Sequence, residues 1–252
     1  MKPQRKLARR ELLAAGLASA GGVLLSGCSR PMPPTYGNLL RLGDNLTYSA
    51  HRLLLPGEAL VKEYSHGDIS SFPAVGTSDP GDPDGARPND TYRQLQRGGF
   101  ADWRLSVEGL VARPGTFSLA QLKALPARTQ ITKHVCEEGW SAIGEWTGAP
   151  LSRVLDAAGL LPAARFVSYY SYDDWADSID LLDALHPQTL LAYGMNGRDL
   201  PVPHGAPLRL RVERQMGYKS MKFLTRLVVT EHLDDGGDKG NPKQGWAWYT
   251  GI

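Results

Sequence analysis

Apolar residues recur along this chain with two different spacings, and the switches between them mark out its elements. Leu39, Leu42, Leu46, Ala50, Leu53 and Leu54 fall near helical spacing, and Pro56 stops the run. Residues 103–108 alternate apolar and polar side chains, as a half-buried strand does. Arg113-Pro114-Gly115 reads as a turn, and Ser118 is placed to cap a short helix over 119–125 that Pro126 ends. Residues 129–135 read as a strand, followed by a Gly-Trp-Ser turn at 139–141 and a second turn over 146–150. The spacing predicts a helix over 150–158, with Pro150 in its first turn and Gly159 after its end. Leu151, Val154, Leu155 and Ala158 form its buried face. Residues 165–172, 190–193, 208–213 and 223–231 are further strands, and 180–185 a short helix.

Strands separated by turns and short helices, without regular βαβ alternation, predict an α+β protein with mixed β-sheets. They argue against Rossmann and TIM architectures. No G-x-G-x-x-G follows a strand, so a nicotinamide cofactor has no support. The stretch from Ser70 to Asn89 is dense in Gly, Pro and Asp. A loop of that length in a compact domain usually carries function or is disordered.

The N-terminus reads as a targeting segment over residues 1–28. Lys2, Arg5, Lys6, Arg9 and Arg10 precede an apolar run over 12–25 that is too short and too rich in Gly and Ala for a good membrane span. Arg9-Arg10-Glu11-Leu12-Leu13 resembles a twin-arginine export motif, with Ala8 and Leu12 departing from the usual pattern. Leu25-Ser26-Gly27-Cys28 resembles a lipoprotein processing box, which implies lipidation at Cys28 and a membrane-anchored, periplasmic or cell-surface protein. Residues 29–65 are expected to form a Pro-rich tether and the N-terminal helix, and residues 66–252 the main domain.

The formal net charge of the 252-residue chain is +2. With no basic tail or helix-turn-helix signature, nucleic acid is not an expected partner. The chain has two cysteines, one of them Cys28, so after processing Cys136 has no intramolecular disulfide partner. It stands at a predicted strand end before a glycine-containing turn. A lone cysteine is commonly a small buried hydrophobe. His134, two residues away at strand spacing, or His204 would serve as its base, which also leaves a cysteine hydrolase open.

The wider pattern narrows these choices. Cys136-Glu137-Glu138-Gly139-Trp140-Ser141, with Trp146-Thr147-Gly148-Ala149-Pro150-Leu151 behind it, resembles the molybdenum-ligand segment of the sulfite oxidase family. The likeness is to the bacterial branch that includes periplasmic methionine sulfoxide reductases. Two later blocks fit the same family: residues 191–209, containing Asn196-Gly197, His204-Gly205 and Pro207-Leu208-Arg209, and residues 217–222, Gly-Tyr-Lys-Ser-Met-Lys. The resemblance runs from about Phe72 to Glu231.

It implies a sulfite oxidase-type molybdopterin-binding fold and a molybdenum centre with Cys136 as thiolate ligand and catalytic residue. For the pterin and its phosphate it implies Arg209, Gly217, Tyr218, Lys219 and Lys222. His204 fits a cofactor contact or a core histidine, and Ser171 a cofactor-side hydroxyl or a strand serine. Ser70, Pro73 and Ala74 occupy the family's early cofactor loop, where contacts are expected from the backbone. Cations and free backbone N–H groups suit a phosphate on chemical grounds alone. Arg211 is read as the solvated neighbour of Arg209 on an alternating strand.

Where plant and animal members carry Gly-Asn-Arg-Arg after the cysteine, this chain has Glu-Gly-Trp-Ser. An arginine-rich sulfite pocket is therefore not expected. The reading is an oxygen-atom-transfer oxidoreductase, reductase-like on an S- or N-oxide. A sulfite-type oxidase and a non-catalytic cofactor-binding lipoprotein are the alternatives. With neither a haem nor a C-terminal dimerisation domain in the sequence, the expected partner is a separate electron-transfer protein, a membrane haem protein or soluble cytochrome. The expected substrate is a small oxyanion or oxide, and a monomer is expected.

Overall fold

The computed structural model describes residues 36–233 and 246–252, the side chains of 36–41 excepted. The export signal expected over residues 1–28, with Cys28, and the segment up to residue 35 lie outside the described residues. Helix α1 (Tyr36–Leu54) is the helix expected after the Pro-rich stretch. It docks through polar contacts: Arg52 lies 3.1 Å from Asp180 and 3.0 Å from Asp183. At its other end the Trp248 N–H donates to Asp44 and the indole N–H to Asn45. No described helix is long and apolar enough to cross a membrane.

Two five-stranded sheets carry the domain. The first runs β2 (Gly115–Ser118), β1 (Arg104–Gly109), β10 (Leu224–Thr230), β5 (Phe166–Ser171), β6 (Ala176–Asp180). Its β1–β10 pair is parallel and the rest antiparallel. The second runs β3 (Arg128–Val135), β4 (Ser141–Pro150), β7 (Leu190–Met195), β8 (Arg198–Asp199), with β9 (Arg209–Arg211) also on β7, all antiparallel. Four short helices fill in: α2 (Asp90–Arg97), α3 (Leu119–Ala124), α4 (Leu151–Ala158) and α5 (Leu181–Ala184). The main core packs Leu151, Val154 and Leu155 of α4 with Leu105 and Val107 of β1 and Leu227 and Val229 of β10. A smaller cluster of Trp146, Ala192, Met195 and Leu200, with Phe72 against it, sits in the second sheet.

Several local expectations change. Residues 146–150 are not a turn but the second half of β4, with a bulge between Thr147 and Gly148. A Cβ on Gly148 would lie 2.3 Å from the Leu191 carbonyl oxygen, so the small residues that imitate a turn permit close strand approach. Gly115 opens β2 rather than ending a turn, and the strand expected over 208–213 shortens to Arg209–Arg211. Pro150 is the N-cap of α4, one position ahead of its first turn. Helix α2 was not anticipated. Asn89 caps it by accepting from the Tyr92 N–H, and the buried Tyr92 hydroxyl donates to the Ala206 carbonyl at 2.6 Å. Ser118 does cap α3, with Gln121 completing the capping box.

Candidate active site

Cys136 follows the last residue of β3 and begins a tight turn. Its N–H donates to the Trp140 carbonyl at 2.9 Å, and its carbonyl accepts from the Gly139 N–H at 3.1 Å. The residue is buried, with Glu137 Oε2 3.5 Å from Sγ. Burial, reinforced by Glu137, pushes the thiol up to about 11. Protein groups alone therefore hold this sulfur protonated at neutral pH, whereas coordination to a metal would hold it as thiolate. No histidine is recorded within hydrogen-bond reach of Sγ among the described residues, which removes the geometric basis for a Cys–His nucleophile.

Cys136 lies in the wall of an open cleft. Pro73, Ala74, Cys136, His204, Arg209, Gly217, Tyr218 and Lys222 line it. Three of the residues singled out in the sequence do not. Ser70 pairs with β4, its hydroxyl accepting from the Ile143 N–H and its own N–H donating to the Ile143 carbonyl. The Ser171 hydroxyl donates to Asp173, which is itself in the cleft wall. Lys219 is fully buried, with Nζ 2.6 Å from Asp177 and 3.0 Å from the Ser178 carbonyl. It sits in a 3-10 turn, Gly217–Lys219, rather than a second strand, and that turn sends its ammonium toward β6, not into the cleft. Lys222 does reach the cleft. Its Nζ donates to the carbonyls of Val75, Thr77 and Pro203, tying the early loop to the turn before Gly205.

The main correction concerns Arg211, which is 1% exposed rather than solvated. Arg209 and Arg211 stand two apart on β9 and so share a face. Arg211 donates from Nε and Nη2 to the two Glu213 oxygens at 3.0 and 2.7 Å, and from Nη1 to His134 Nδ1 at 2.8 Å. Burial, then Arg211 and Arg209, push the His134 imidazolium far below the usual histidine range, so the ring is neutral. Arg209 has no such carboxylate. Among the described residues its recorded hydrogen bond is one from Nη1 to the His204 carbonyl at 3.2 Å, and its buried Nε has no acceptor. Burial, with the Arg211 charge beside it, lowers Arg209 to about 9. The guanidinium lies 5.3 Å from the Trp146 ring centroid and 6.0 Å from that of Phe72.

A buried cation with an orphaned N–H beside a thiol is what an anionic, metal-bearing cofactor would complete. Among the described residues no three His, Cys, Asp or Glu side chains converge as a metal cage. A metal at Cys136 would thus draw its remaining ligands from the cofactor, as a dithiolene supplies them. Gly217 keeps the wall low: a Cβ there would lie 2.3 Å from His134 Nε2. The residues fit the group. The Arg211–His134 contact leaves no sign in the sequence, because the partners lie on different strands.

A family model described as "Oxidoreductase molybdopterin binding domain" matches residues 93–237. A protein of Azospira oryzae named for the YedZ1 subunit of a protein-methionine-sulfoxide reductase is 40% identical over 151 residues, covering 60% of this chain and 56% of that one. The protein-methionine-sulfoxide reductase catalytic subunit MsrP of Xanthomonas campestris is 33% identical over 152 residues, covering 54% and 47%. The chain spans about half the length of the curated relatives it matches. Among solved structures, the sulfane dehydrogenase SoxCD of Paracoccus pantotrophus superposes with a TM-score of 0.53 at 24% identity, over 55% of this chain and 41% of that one, a likeness of fold. The chain belongs to the sulfite oxidase-type family of molybdopterin-binding oxidoreductases.

Proposed function

We propose that this chain reduces S- or N-oxides at a molybdenum centre held by Cys136. The observation that carries this reading is the buried, carboxylate-free Arg209 in the cleft that Cys136 lines. When bound, the cofactor supplies two-electron oxygen-atom transfer, so an oxide, two electrons and two protons give the reduced compound and water. The protein supplies binding, orientation and electrostatics. Cys136 anchors the metal, Arg209 offers a planar fork to an anionic oxygen, and Lys222 braces the loop over Pro73 and Ala74.

We read the substrate as an oxide rather than sulfite. Glu137, Glu138 and Asp173 line the cleft, with Glu137 against the sulfur. Arg209 and Lys222 line the same cleft, so its wall carries both signs of charge. Relatives named as methionine-sulfoxide reductases support the same choice. The electrons come from a separate partner, a membrane haem protein or soluble cytochrome. Arg9-Arg10 and Leu25-Ser26-Gly27-Cys28 support export in folded form, with a lipid anchor at Cys28 in the periplasm or at the cell surface.

The test is elemental analysis and turnover. Protein from a host that makes the cofactor should carry stoichiometric molybdenum and reduce a dialkyl sulfoxide with a chemical electron donor. Cys136→Ser should lose activity and change the metal's electronic spectrum. A Cys136→Ser protein with an unchanged spectrum and full turnover would refute the assignment. Cys28→Ala should move the protein from the membrane to the soluble fraction, and an unmodified N-terminus on the wild-type mature chain would remove the anchor from this reading.

A further inference from the structure

A side-chain relay beneath the cleft belongs to none of the roles above. Gln130 Nε2 donates to Glu213 Oε1 at 3.1 Å, Glu213 takes two bonds from Arg211, and Arg211 Nη1 meets His134 Nδ1 at 2.8 Å. All four residues are at most 5% exposed. A guanidinium has donors and no acceptor, so His134 Nδ1 must accept and the imidazole proton must sit on Nε2. Nothing in the relay is free to turn. The Arg211 guanidinium lies over Trp146 at 4.3 Å, and the His134 ring has Phe72 at 5.1 Å and Trp140 at 5.5 Å. The Nε2 edge faces Gly217, where a Cβ would lie only 2.3 Å away. His134 and Gly217 both line the cleft that holds Cys136, and among the described residues no acceptor is recorded for Nε2.

We propose that His134 is a fixed hydrogen-bond donor of this active site, aimed into the cleft by Arg211 and Glu213, and that it orients an oxygen acceptor of the bound ligand. Arg211 and Glu213 are positioning residues that act through it. The acceptor is either an oxygen of the pterin cofactor or the oxide oxygen of the substrate. The proton stays on Nε2, because a neutral imidazole that gave it up would become an anion in a buried site. The substrate arm rests on the oxide-reductase reading; the tautomer and the cofactor arm do not.

Two measurements test this. Long-range proton–nitrogen correlation NMR on histidine-labelled protein, with His134→Gln identifying the signal, should show Nδ1 bare and Nε2 protonated. Arg211→Met should relax that preference. A wild-type His134 with its proton on Nδ1, or doubly protonated, overturns the proposal. In loaded enzyme, His134→Phe keeps a ring between Phe72 and Trp140 but removes the donor, whereas His134→Gln restores an N–H. If the acceptor is the oxide, kcat/KM for a dialkyl sulfoxide falls about ten- to hundredfold in His134→Phe at unchanged molybdenum content, with partial recovery in His134→Gln. If it is the cofactor, molybdenum and pterin content falls and turnover per bound metal holds. A Phe variant unchanged in both refutes the donor role, and one that does not fold leaves the wild-type tautomer to decide. If no sulfoxide is turned over by wild type, the oxide reading fails while the NMR and cofactor-content results still judge His134.

Discussion

Arg209 and Arg211 differ by one strand register step of the same face, yet their removal should have opposite effects on the cofactor-free protein. Arg211 and Glu213 are both almost wholly inaccessible, at 1% and 0% for their side chains. Arg211→Met would leave Glu213 buried with only Gln130 as a recorded donor. Stranding one member of a buried pair costs about 3–5 kcal/mol. At about 2–4 °C per kcal/mol for a chain of this size, the melting temperature should fall by roughly 6–20 °C. Arg209 is the reverse case. It is lowered from 12.5 to about 9, so it is still charged at pH 7 in folded and unfolded chain alike, and the burial penalty is fully present there. Arg209→Met removes that penalty together with the ring contacts to Trp146 and Phe72. The balance should leave stability unchanged or raise it by about 1–3 kcal/mol. The same substitution should weaken cofactor retention about ten- to hundredfold, the worth of a charge-assisted bond to phosphate. Thermal unfolding of cofactor-free protein, beside molybdenum and pterin content of loaded protein, reads both effects. If Arg209→Met destabilises the empty protein as much as Arg211→Met does, Arg209 is an ordinary paired core residue and the reasoning fails.

Lys219→Met should cost up to about 3–5 kcal/mol by removing the ammonium paired with buried Asp177, yet leave the molybdenum content of the folded fraction unchanged. A selective loss of cofactor without loss of stability would instead place Lys219 at the ligand. His186 gives the chain an acid-sensitive joint. Its Nδ1 accepts from the Gln188 N–H and its Nε2–H donates to the Ala59 carbonyl, and burial pushes it down from 6.5 to about 4. The unfolded chain therefore takes up the proton first, and stability falls as pH drops from about 6.5 to about 4, by at most about 1.4 kcal/mol per pH unit for this group. Urea unfolding at stepped pH should show a shallower slope in His186→Gln, and an identical slope would remove His186 from the acid response.

Local signals were legible where one element satisfies itself. Helix α1 stops before Pro56, although Leu42, Leu46, Leu53 and Leu54 of its apolar stripe are exposed; Ser118 caps α3, and the apolar face of α4 is buried at Leu151, Val154, Leu155 and Ala158. The thiol, the early loop and Arg209 were legible as a set because three separated blocks pointed to one chemistry, and the fold brings those residues to one cleft. What the sequence hid was set by contacts between strands. Gly148 and Ala149 look like a turn until Leu191 and Ala192 are laid beside them. Arg211 looks like a solvated strand residue until β3 covers it with His134. Lys219 falls in a family-like segment, yet a single 3-10 turn decides which way its ammonium leaves the backbone. Alternation along one strand cannot reveal a partner 77 residues away, and that partner determines whether an arginine is a ligand or a strut.

The unpaired state of Arg209 links loading to folding. Natural proteins keep such local violations where a ligand relieves them. A cofactor anion at Arg209 would remove the penalty of an isolated buried cation and give its Nε an acceptor. Any ligand that binds only the folded form stabilises it in proportion to RT ln(1 + [L]/Kd), about 4 kcal/mol at a thousandfold excess over Kd. The loaded protein is then the more stable form by construction. On the proposed export route, which carries folded chains, that difference sorts loaded from empty protein before it leaves the cytoplasm. Arg209→Met weakens this linkage: the empty chain no longer carries that buried charge, and binding gains less. The variant should therefore be exported with less discrimination between empty and loaded chains, visible as a smaller excess of molybdenum per protein in the exported fraction over the cytoplasmic one. An equal excess of exported over cytoplasmic molybdenum per protein in wild type and variant would show that loading is policed by something other than the stability of the fold.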